Sequence, residues 1–173
     1  IMIKEGVLEN PKPQCIFGLH VHPGLQLGQL SFRGGKVMAS ADELYLTVKG
    51  KGGHAASPHL SVDPILIASH LVVSLQQIIS RNRNPHNPSV LSITAFNAGT
   101  TTNVIPNEVK LMGTFRAMDE QWRFEAHELI AALQHSWCKA WAANSISISM
   151  LVIQLFTTMN HSTKKQKQKL PNY

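Results

Sequence analysis

The sequence predicts an α+β fold, a ferredoxin-like β-α-β-β-α-β antiparallel sheet with two helices on one face. Three observations lead to this prediction. Several segments alternate apolar and polar residues, two segments repeat apolar residues at helical spacing, and an aspartate stands in front of each helical segment. An alternation of strands and helices in this order is typical of two-layer α+β units.

The first strand and the first helix lie between residues 43 and 81. Residues 43–49 alternate as a half-buried strand does. Asp63 and Pro64 then open a helix, because aspartate caps a helix N-terminus and proline suits the first turn. The helix is predicted to end near Arg81, before a segment rich in asparagine and proline. Its apolar face consists of Ile65, Leu66, Ala68, Leu71, Val72, Leu75, Ile78 and Ile79.

Two more strands and a second helix follow. Residues 89–96 and 109–115 alternate again, and a turn over residues 97–103 separates them. Asp119 caps the second helix, whose apolar residues are Phe124, Leu129, Ile130 and Leu133. We expect a fourth strand near residues 145–155, since residues 145–150 alternate in the same way.

The positive charge of the chain is concentrated in its last part. The net charge is +6 and the pI near 9.6, yet residues 137–173 hold five lysines and no acid, which leaves +1 for residues 1–136. The body therefore has neither the basic stripe nor the interleaved aromatic residues of a nucleic-acid-binding surface. We expect no nucleic-acid partner.

The remaining bulk properties favour a cytoplasmic protein. The longest apolar run, residues 150–153, is far shorter than the ~20 residues that span a bilayer, so we expect no membrane partner. Cys15 and Cys138 form no recognisable motif and read as free thiols. Because the chain opens without a signal peptide, we interpret it as a fragment of a longer protein.

Residues 50–59 form the most informative segment, with the sequence GKGGHAASPH. Three glycines permit a sharp bend and close approach by another backbone or a ligand. His54 is thereby offered at the end of a strand, and an imidazole can donate or accept a proton near neutral pH. Taken alone, this pattern also fits a glycine hairpin whose histidine only faces water.

Six motifs in order and spacing decide between these interpretations. They are IFGLHVHPG (16–24), MASADE (38–43), GKGGHAASPH (50–59), VDP (62–64), NVIP (103–106) and GTFR (113–116). With them, residues 1–136 resemble the metal-dependent amidohydrolases that include aminoacylases, hippurate hydrolases, auxin-conjugate hydrolases and glutamate carboxypeptidases. The resemblance implies hydrolysis of N-acyl amino acids or related small amides and peptides by a homodimer.

The resemblance also implies a domain arrangement. Residues 1–40 correspond to part of an α/β catalytic, metal-binding domain, with a helix end at residues 2–7 and strands at residues 15–20 and near residues 29–32. Residues 41–136 correspond to a dimerisation or lid domain inserted into it.

His20 corresponds to a ligand of the catalytic metal pair, for which zinc, manganese and cobalt are the candidate ions. His22 is a neighbour. One imidazole cannot hold a metal alone, so we expect this chain to bind none stably and to be inactive by itself.

Three further residues are implied to act on the substrate. His54 corresponds to a residue that reaches into the partner's active site and stabilises the oxyanion there. Asn103 and Arg116 correspond to substrate-binding residues, and a guanidinium can grip a carboxylate with two hydrogen bonds. The alternatives from the residues alone are that Asn103 caps a turn and that Arg116 pairs with Asp119 or Glu120. Six other histidines are expected to lack partners, namely His59, His70, His86, His127, His135 and His161.

Composition changes abruptly after Ser136. Read one base earlier, residues 137–154 can encode a segment similar to the family's fourth strand, so we interpret residues 137–173 as a frameshifted tail. A divergent basic tail is the alternative. For the whole chain, the alternative to the enzyme hypothesis is a pure dimerisation module without a catalytic role.

Overall fold

The computed structural model describes residues 2, 4–15, 17–141, 145–153 and 157–158. It divides into two compact units, Ile1–Phe32 and Arg33–Tyr173. In the first unit the described residues form turns and extended segments, without a helix or strand. The predicted helix end at residues 2–7 and the strands at residues 15–20 and 29–32 are therefore wrong. Strand backbone needs partners for its N–H and C=O groups, and the described part of this unit supplies no neighbouring strand.

The second unit contains eight strands and two helices among its described residues. The strands are β1 (Gly35–Lys36), β2 (Ala41–Lys49), β3 (Gly53–His54), β4 (Ser89–Asn97), β5 (Val104–Ile105), β6 (Glu108–Ala117), β7 (Ser145–Ile153) and β8 (Thr157–Thr158). The helices are α1 (Pro64–Gln77) and α2 (Glu120–Ala140). A 3₁₀ turn, Pro58–Leu60, precedes α1, and a π-helical turn, Ile78–Asn82, follows it.

One four-stranded sheet organises this unit. Its strand order is β4-β6-β2-β7, and all neighbours are antiparallel. Together with α1 and α2, these strands follow one another along the chain as β-α-β-β-α-β, which confirms the predicted α+β class. Two short strand pairs, β1 with β8 and β3 with β5, lie outside the sheet.

Both helices pack on the same face of the sheet. In β2 the residues of the alternating pattern that face the helices, among them Leu44, Leu46 and Val48, are buried. They join one apolar cluster with residues of α1 and α2 such as Leu71 and Ile130. The opposite face is open: Tyr45 is 43% exposed there, and its hydroxyl donates a 2.6 Å hydrogen bond to Glu43 Oε2.

The two aspartates begin the helices as the sequence predicts. Asp63 Oδ1 accepts hydrogen bonds from the backbone N–H groups of Ile65 and Leu66, at 2.8 and 3.3 Å. Asp119 Oδ1 accepts one from Trp122 N at 2.9 Å. This bond, assisted by Lys36, holds the pKa of Asp119 below its ordinary value of 3.8. Local capping therefore fixes where each helix starts.

A buried ion pair joins β2 to α2. Arg123 is fully buried, and its Nη2 and Nε donate to the two carboxylate oxygens of Asp42 at 2.6 and 2.9 Å. Its Nη1 donates to both oxygens of Glu120, at 2.8 and 3.0 Å. The hydrogen bond to Asp42 raises the pKa of Arg123. This planar, two-point contact fixes the orientation of α2 on the sheet.

Two histidines that were expected to lack partners have them. His127 Nε2 lies 3.2 Å from Asp42 Oδ2, because α2 brings it to the buried ion pair. The His70 ring lies 5.8 Å from Trp137 and 5.1 Å from Trp141, centroid to centroid. The expectation was wrong for both, since the partners come from other elements. His161 lies outside the described residues.

The predicted frameshift junction does not coincide with an end of a helix. α2 runs past Ser136 to Ala140, and β7 pairs with β2 along the whole strand, from Lys49 opposite Ser145 to Ala41 opposite Ile153. The rest of the predicted tail, residues 142–144, 154–156 and 159–173, lies outside the described residues. The frameshift remains a prediction that the coding DNA can test.

The ion pair predicts a large difference between two charge deletions. Asp42→Ala should lower the free energy of unfolding by ~3–5 kcal/mol, because it leaves the buried Nε and Nη2 of Arg123 without their acceptor and leaves Glu120, at 42% exposure, as the remaining acidic partner. Lys36→Ala removes an exposed pair with Asp119, whose side chains are 46% and 34% exposed, and should cost ~0–1 kcal/mol. Urea denaturation followed by circular dichroism measures both. Equal losses would contradict this assignment.

Candidate functional site

The candidate site is centred on the segment that follows β2, which we name the glycine corner (residues 50–56). At two of its positions there is no room for a side chain. A Cβ atom at Gly50 would lie 2.1 Å from the carbonyl oxygen of Val62. One at Gly52 would lie 2.7 Å from that of Ile105 and 2.9 Å from Asn107 Oδ1. The corner is thus a direct backbone contact between segments distant in sequence.

Hydrogen bonds hold this contact from both sides. Gly50 N donates to the backbone oxygen of Asn107 at 2.9 Å, and Gly52 N donates to Asn107 Oδ1 at 3.0 Å. Further along, β3 pairs with β5, which places His54 opposite Val104. The corner is therefore tied to the segment between β5 and β6.

His54 is exposed at the end of β3, and one of its two ring nitrogens accepts a hydrogen bond. The backbone N–H of Ala56 donates to His54 Nδ1 at 3.1 Å. Since Nδ1 accepts, the neutral ring carries its proton on Nε2. No described residue accepts a hydrogen bond from that Nε2. The ring thus offers a hydrogen-bond donor to an outside group.

Asn103 lies next to His54. Its backbone oxygen accepts a 3.0 Å hydrogen bond from Ala55 N, one residue beyond His54. Its side chain is exposed and makes no hydrogen bond with the described residues. The structure thus brings together two of the three predicted substrate-site residues, although they are far apart in sequence.

Arg116 lies elsewhere on the domain. It is on β6, on the open face of the sheet, and its Nε donates to Thr114 Oγ1 at 3.0 Å. Asp119 and Glu120, its alternative partners, pair instead with Lys36 and Arg123. At ~3.4 Å per strand residue, Arg116 lies roughly 30 Å along β6 from Asn107, where the glycine corner is attached.

His20 lies in the first unit and is exposed. Its Nδ1 is 2.6 Å from the backbone oxygen of Val21, and the neighbouring His22 accepts a hydrogen bond from Gly24 N at 3.1 Å. No group of three or more histidine, cysteine or carboxylate side chains that could hold a metal occurs in the described part of the chain. The described residues therefore do not form a complete metal site.

Two contributions to this site escaped the sequence analysis. Asn107 follows directly after the NVIP motif, but its residue type alone does not reveal a hydrogen bond to Gly52. The open sheet face carries Glu43 and Tyr45 on the same strand, and the hydrogen bond to Glu43 raises the pKa of Tyr45 above its ordinary value of 10.0.

No described helix is long and apolar enough to cross a membrane.

Comparison with protein families matches residues 40–136 to the peptidase dimerisation domain of the M20 family. The chain belongs to the M20 family. The matched segment contains the glycine corner, Asn103 and Arg116. The family resemblance is confirmed, and the dimerisation domain of this M20 chain has the fold described above.

Two curated relatives extend the match. N-acetyldiaminopimelate deacetylase of Bacillus cytotoxicus is 39% identical over 132 residues, which cover 76% of this chain and 35% of the relative. IAA-amino acid hydrolase ILR1-like 5 of Arabidopsis thaliana is 45% identical over 117 residues, which cover 68% of this chain and 26% of the relative. The M20 chain thus spans well under half the length of either relative.

Solved structures share the fold. A proposed aminohydrolase from methicillin-resistant Staphylococcus aureus superposes with a TM-score of 0.84 at 26% identity, covering 96% of this chain and 44% of that one. The Bacillus subtilis YXEP protein, a dinuclear metal binding peptidase from the M20 family, superposes with a TM-score of 0.69 at 24% identity, covering 96% and 40%.

The close contacts of the glycine corner predict different effects for two similar substitutions. Gly50→Ala should lower the melting temperature by several degrees, because its Cβ would meet a backbone carbonyl that cannot move independently. Gly53→Ala should change it little, since its Cβ would lie 3.4 Å from Ser61 Cβ, an ordinary contact. Calorimetry on the two variants checks this, and a larger shift for Gly53→Ala would contradict it.

Proposed function

We propose that residues 40–136 are the dimerisation domain of a metal-dependent amidohydrolase that cleaves N-acyl amino acids or related small amides in the cytoplasm. The relatives' names, a deacetylase of N-acetyldiaminopimelate and a hydrolase of IAA-amino acids, support this substrate class. The exposed, free thiol of Cys15 fits a reducing compartment. The observation that carries the proposal is the Nε2–H of His54, which stands at a backbone corner and has no acceptor among the described residues.

The role proposed for His54 follows from its proton. When water attacks an amide carbonyl, negative charge develops on the carbonyl oxygen, and a fixed donor stabilises it more than it stabilises the substrate. Ala56 N–H fixes the donor on Nε2 without occupying it. The corner that carries the ring is held by backbone contacts, so little reorganisation is needed when the charge forms. Asn103, beside it, adds an amide group within the same region.

Arg116 is proposed to bind the carboxylate of the substrate. Its Nε is engaged by Thr114, and the Thr114 hydroxyl itself donates to the backbone oxygen of Asp42 at 3.1 Å. The guanidinium is therefore held through Nε, and its two terminal nitrogens form no hydrogen bond with the described residues. Two parallel N–H donors match the two oxygens of a carboxylate.

The separation of these residues supports a homodimer. The scissile carbonyl and the α-carboxylate of an N-acyl amino acid are about 4 Å apart, the spacing of a single residue. The glycine corner and Arg116 are attached to β6 roughly 30 Å apart. We therefore propose that His54 and Asn103 act in the active site of the partner subunit. Arg116 acts in the active site of its own subunit. The outer edge of β4 has no partner strand among the described residues and is available for pairing with a second copy.

Activation of the attacking water is not assigned to any described residue. The metal pair, proposed to be zinc, manganese or cobalt, needs ligands in addition to His20, and the described residues do not complete such a site. The second candidate function, a pure dimerisation module, needs the edge strand but not the three polar side chains. Substitution of those side chains separates the two hypotheses.

The first test uses an intact homologue that carries residues 40–136 of this chain in place of its own dimerisation domain, here the Arabidopsis relative. In this grafted homologue, His54→Ala should lower kcat by ~10²–10³, the usual cost of one oxyanion donor, with dimer and metal content unchanged. His59→Ala, an exposed histidine outside the corner, is the control and should retain kcat. Unchanged turnover in His54→Ala would favour the module hypothesis.

The second test asks whether His54 and Arg116 serve different active sites. Heterodimers of one His54→Ala subunit and one Arg116→Ala subunit should regain about half the activity of the unsubstituted dimer, because one of the two sites receives both intact residues. The heterodimer is purified through two different affinity tags, and each homodimeric variant serves as a control. If both residues acted in the same site, the heterodimer would be as inactive as the homodimers.

A further inference from the structure

We propose that Asn107 is a positioning residue for His54, an inference that rests on the oxyanion role proposed above. Asn107 lies outside the motifs that identify the family. It is exposed, and its hydrogen bonds go to Gly50 and Gly52 rather than to the His54 ring, so its effect on catalysis is proposed to pass through the glycine corner.

Asn107 contacts the corner twice. Its backbone oxygen accepts from Gly50 N at 2.9 Å, and its side-chain Oδ1 accepts from Gly52 N at 3.0 Å. One residue thus binds both ends of a three-residue segment that leads directly into β3 and His54. Among the described residues, no other side chain forms a hydrogen bond with residues 51–53.

The two hydrogen bonds of Asn107 matter because they restrain a glycine-rich segment directly before His54. Glycine backbone has more accessible conformations than any other, so a glycine-rich segment loses more order than others when a hydrogen bond is removed. β3 is only two residues long and pairs with the equally short β5, which provides little independent restraint. A displacement of about 1 Å at a reacting group can reduce the rate of a reaction by up to ~10².

Gly52 and Asn107 are also fitted to each other. A Cβ at position 52 would lie 2.9 Å from Asn107 Oδ1, so the amide oxygen fills the space that a side chain would take. The absence of a side chain at Gly52 therefore permits the bond, and the bond limits the freedom that the same glycine introduces.

The first experiment measures the corner in the 173-residue protein. Ala56 amide hydrogen exchange, read by NMR, reports the hydrogen bond that Ala56 N–H donates to the His54 ring. Asn107→Leu should accelerate this exchange about tenfold relative to the amide of Leu46 in the core. Asn107→Asp keeps an acceptor oxygen and should restore slow exchange. Asn107→Ala serves as a second variant if the leucine does not fold.

A matched control is available in the same protein. Asn84 Oδ1 accepts a 3.0 Å hydrogen bond from His86 N in an exposed loop, the same kind of bond as that of Asn107 but far along the chain from the corner. Asn84→Leu should leave Ala56 exchange unchanged. Equal acceleration by Asn84→Leu and Asn107→Leu would overturn the proposal, and so would unchanged exchange in Asn107→Leu.

The second experiment uses the grafted homologue. Asn107→Leu should lower kcat about tenfold at unchanged KM, and it should have no further effect when His54 is already alanine. Slowing by Asn107→Leu in the His54→Ala background would show that Asn107 acts by another route and would overturn the inference. The two proposals fail differently: the oxyanion role fails if His54→Ala is fully active, whereas this inference fails if His54→Ala is slow and Asn107→Leu is not.

Discussion

The arrangement of the candidate site depends on one steric constraint, the absence of side chains where the segment after β2 meets the segment before α1 and the segment before β6. A Cβ atom on Gly50 or Gly52 would overlap the carbonyl oxygen of Val62 or Ile105, so there is no room for a side chain at either position. The two hydrogen bonds from Gly50 N and Gly52 N to Asn107 then limit the conformational freedom that these glycines introduce. His54 follows two residues after Gly52, where β3 pairs with β5.

The helices and the sheet serve the site by holding its parts at fixed positions. The apolar core lies between the sheet and both helices, and the Asp42–Arg123 pair locks α2 to β2. The opposite face of the sheet is left open and carries Arg116. The glycine corner and Arg116 therefore lie near opposite ends of β6.

Most of the fold of the second unit was predictable because its determinants are local. Alternation over residues 43–49 and the caps Asp63 and Asp119 depend on neighbours within four residues, and each appears in the structure as expected. The buried Arg123 was not predictable, since its acceptor, Asp42, is 81 residues away in sequence. The strands predicted within residues 1–32 failed for the related reason that pairing partners cannot be read from a single segment.

The candidate site was predictable in its residues but not in its geometry. The glycine motif indicated His54, and pairing of β3 with β5 then placed it beside Asn103, which no spacing rule would give. Asn107 was missed because its bond to Gly52 spans 55 residues. The roles of His54, Asn103 and Arg116 themselves remain predictions.

The buried carboxylate–guanidinium contact has an evolutionary consequence. Arg123 is fully buried and uses three nitrogens on two acidic residues, so neither a shorter cation nor a neutral side chain reproduces its contacts. Exchange of Asp42 for an apolar residue would leave two buried nitrogens of Arg123 without an acceptor. We therefore expect substitutions at positions 42 and 123 to occur together among homologous sequences.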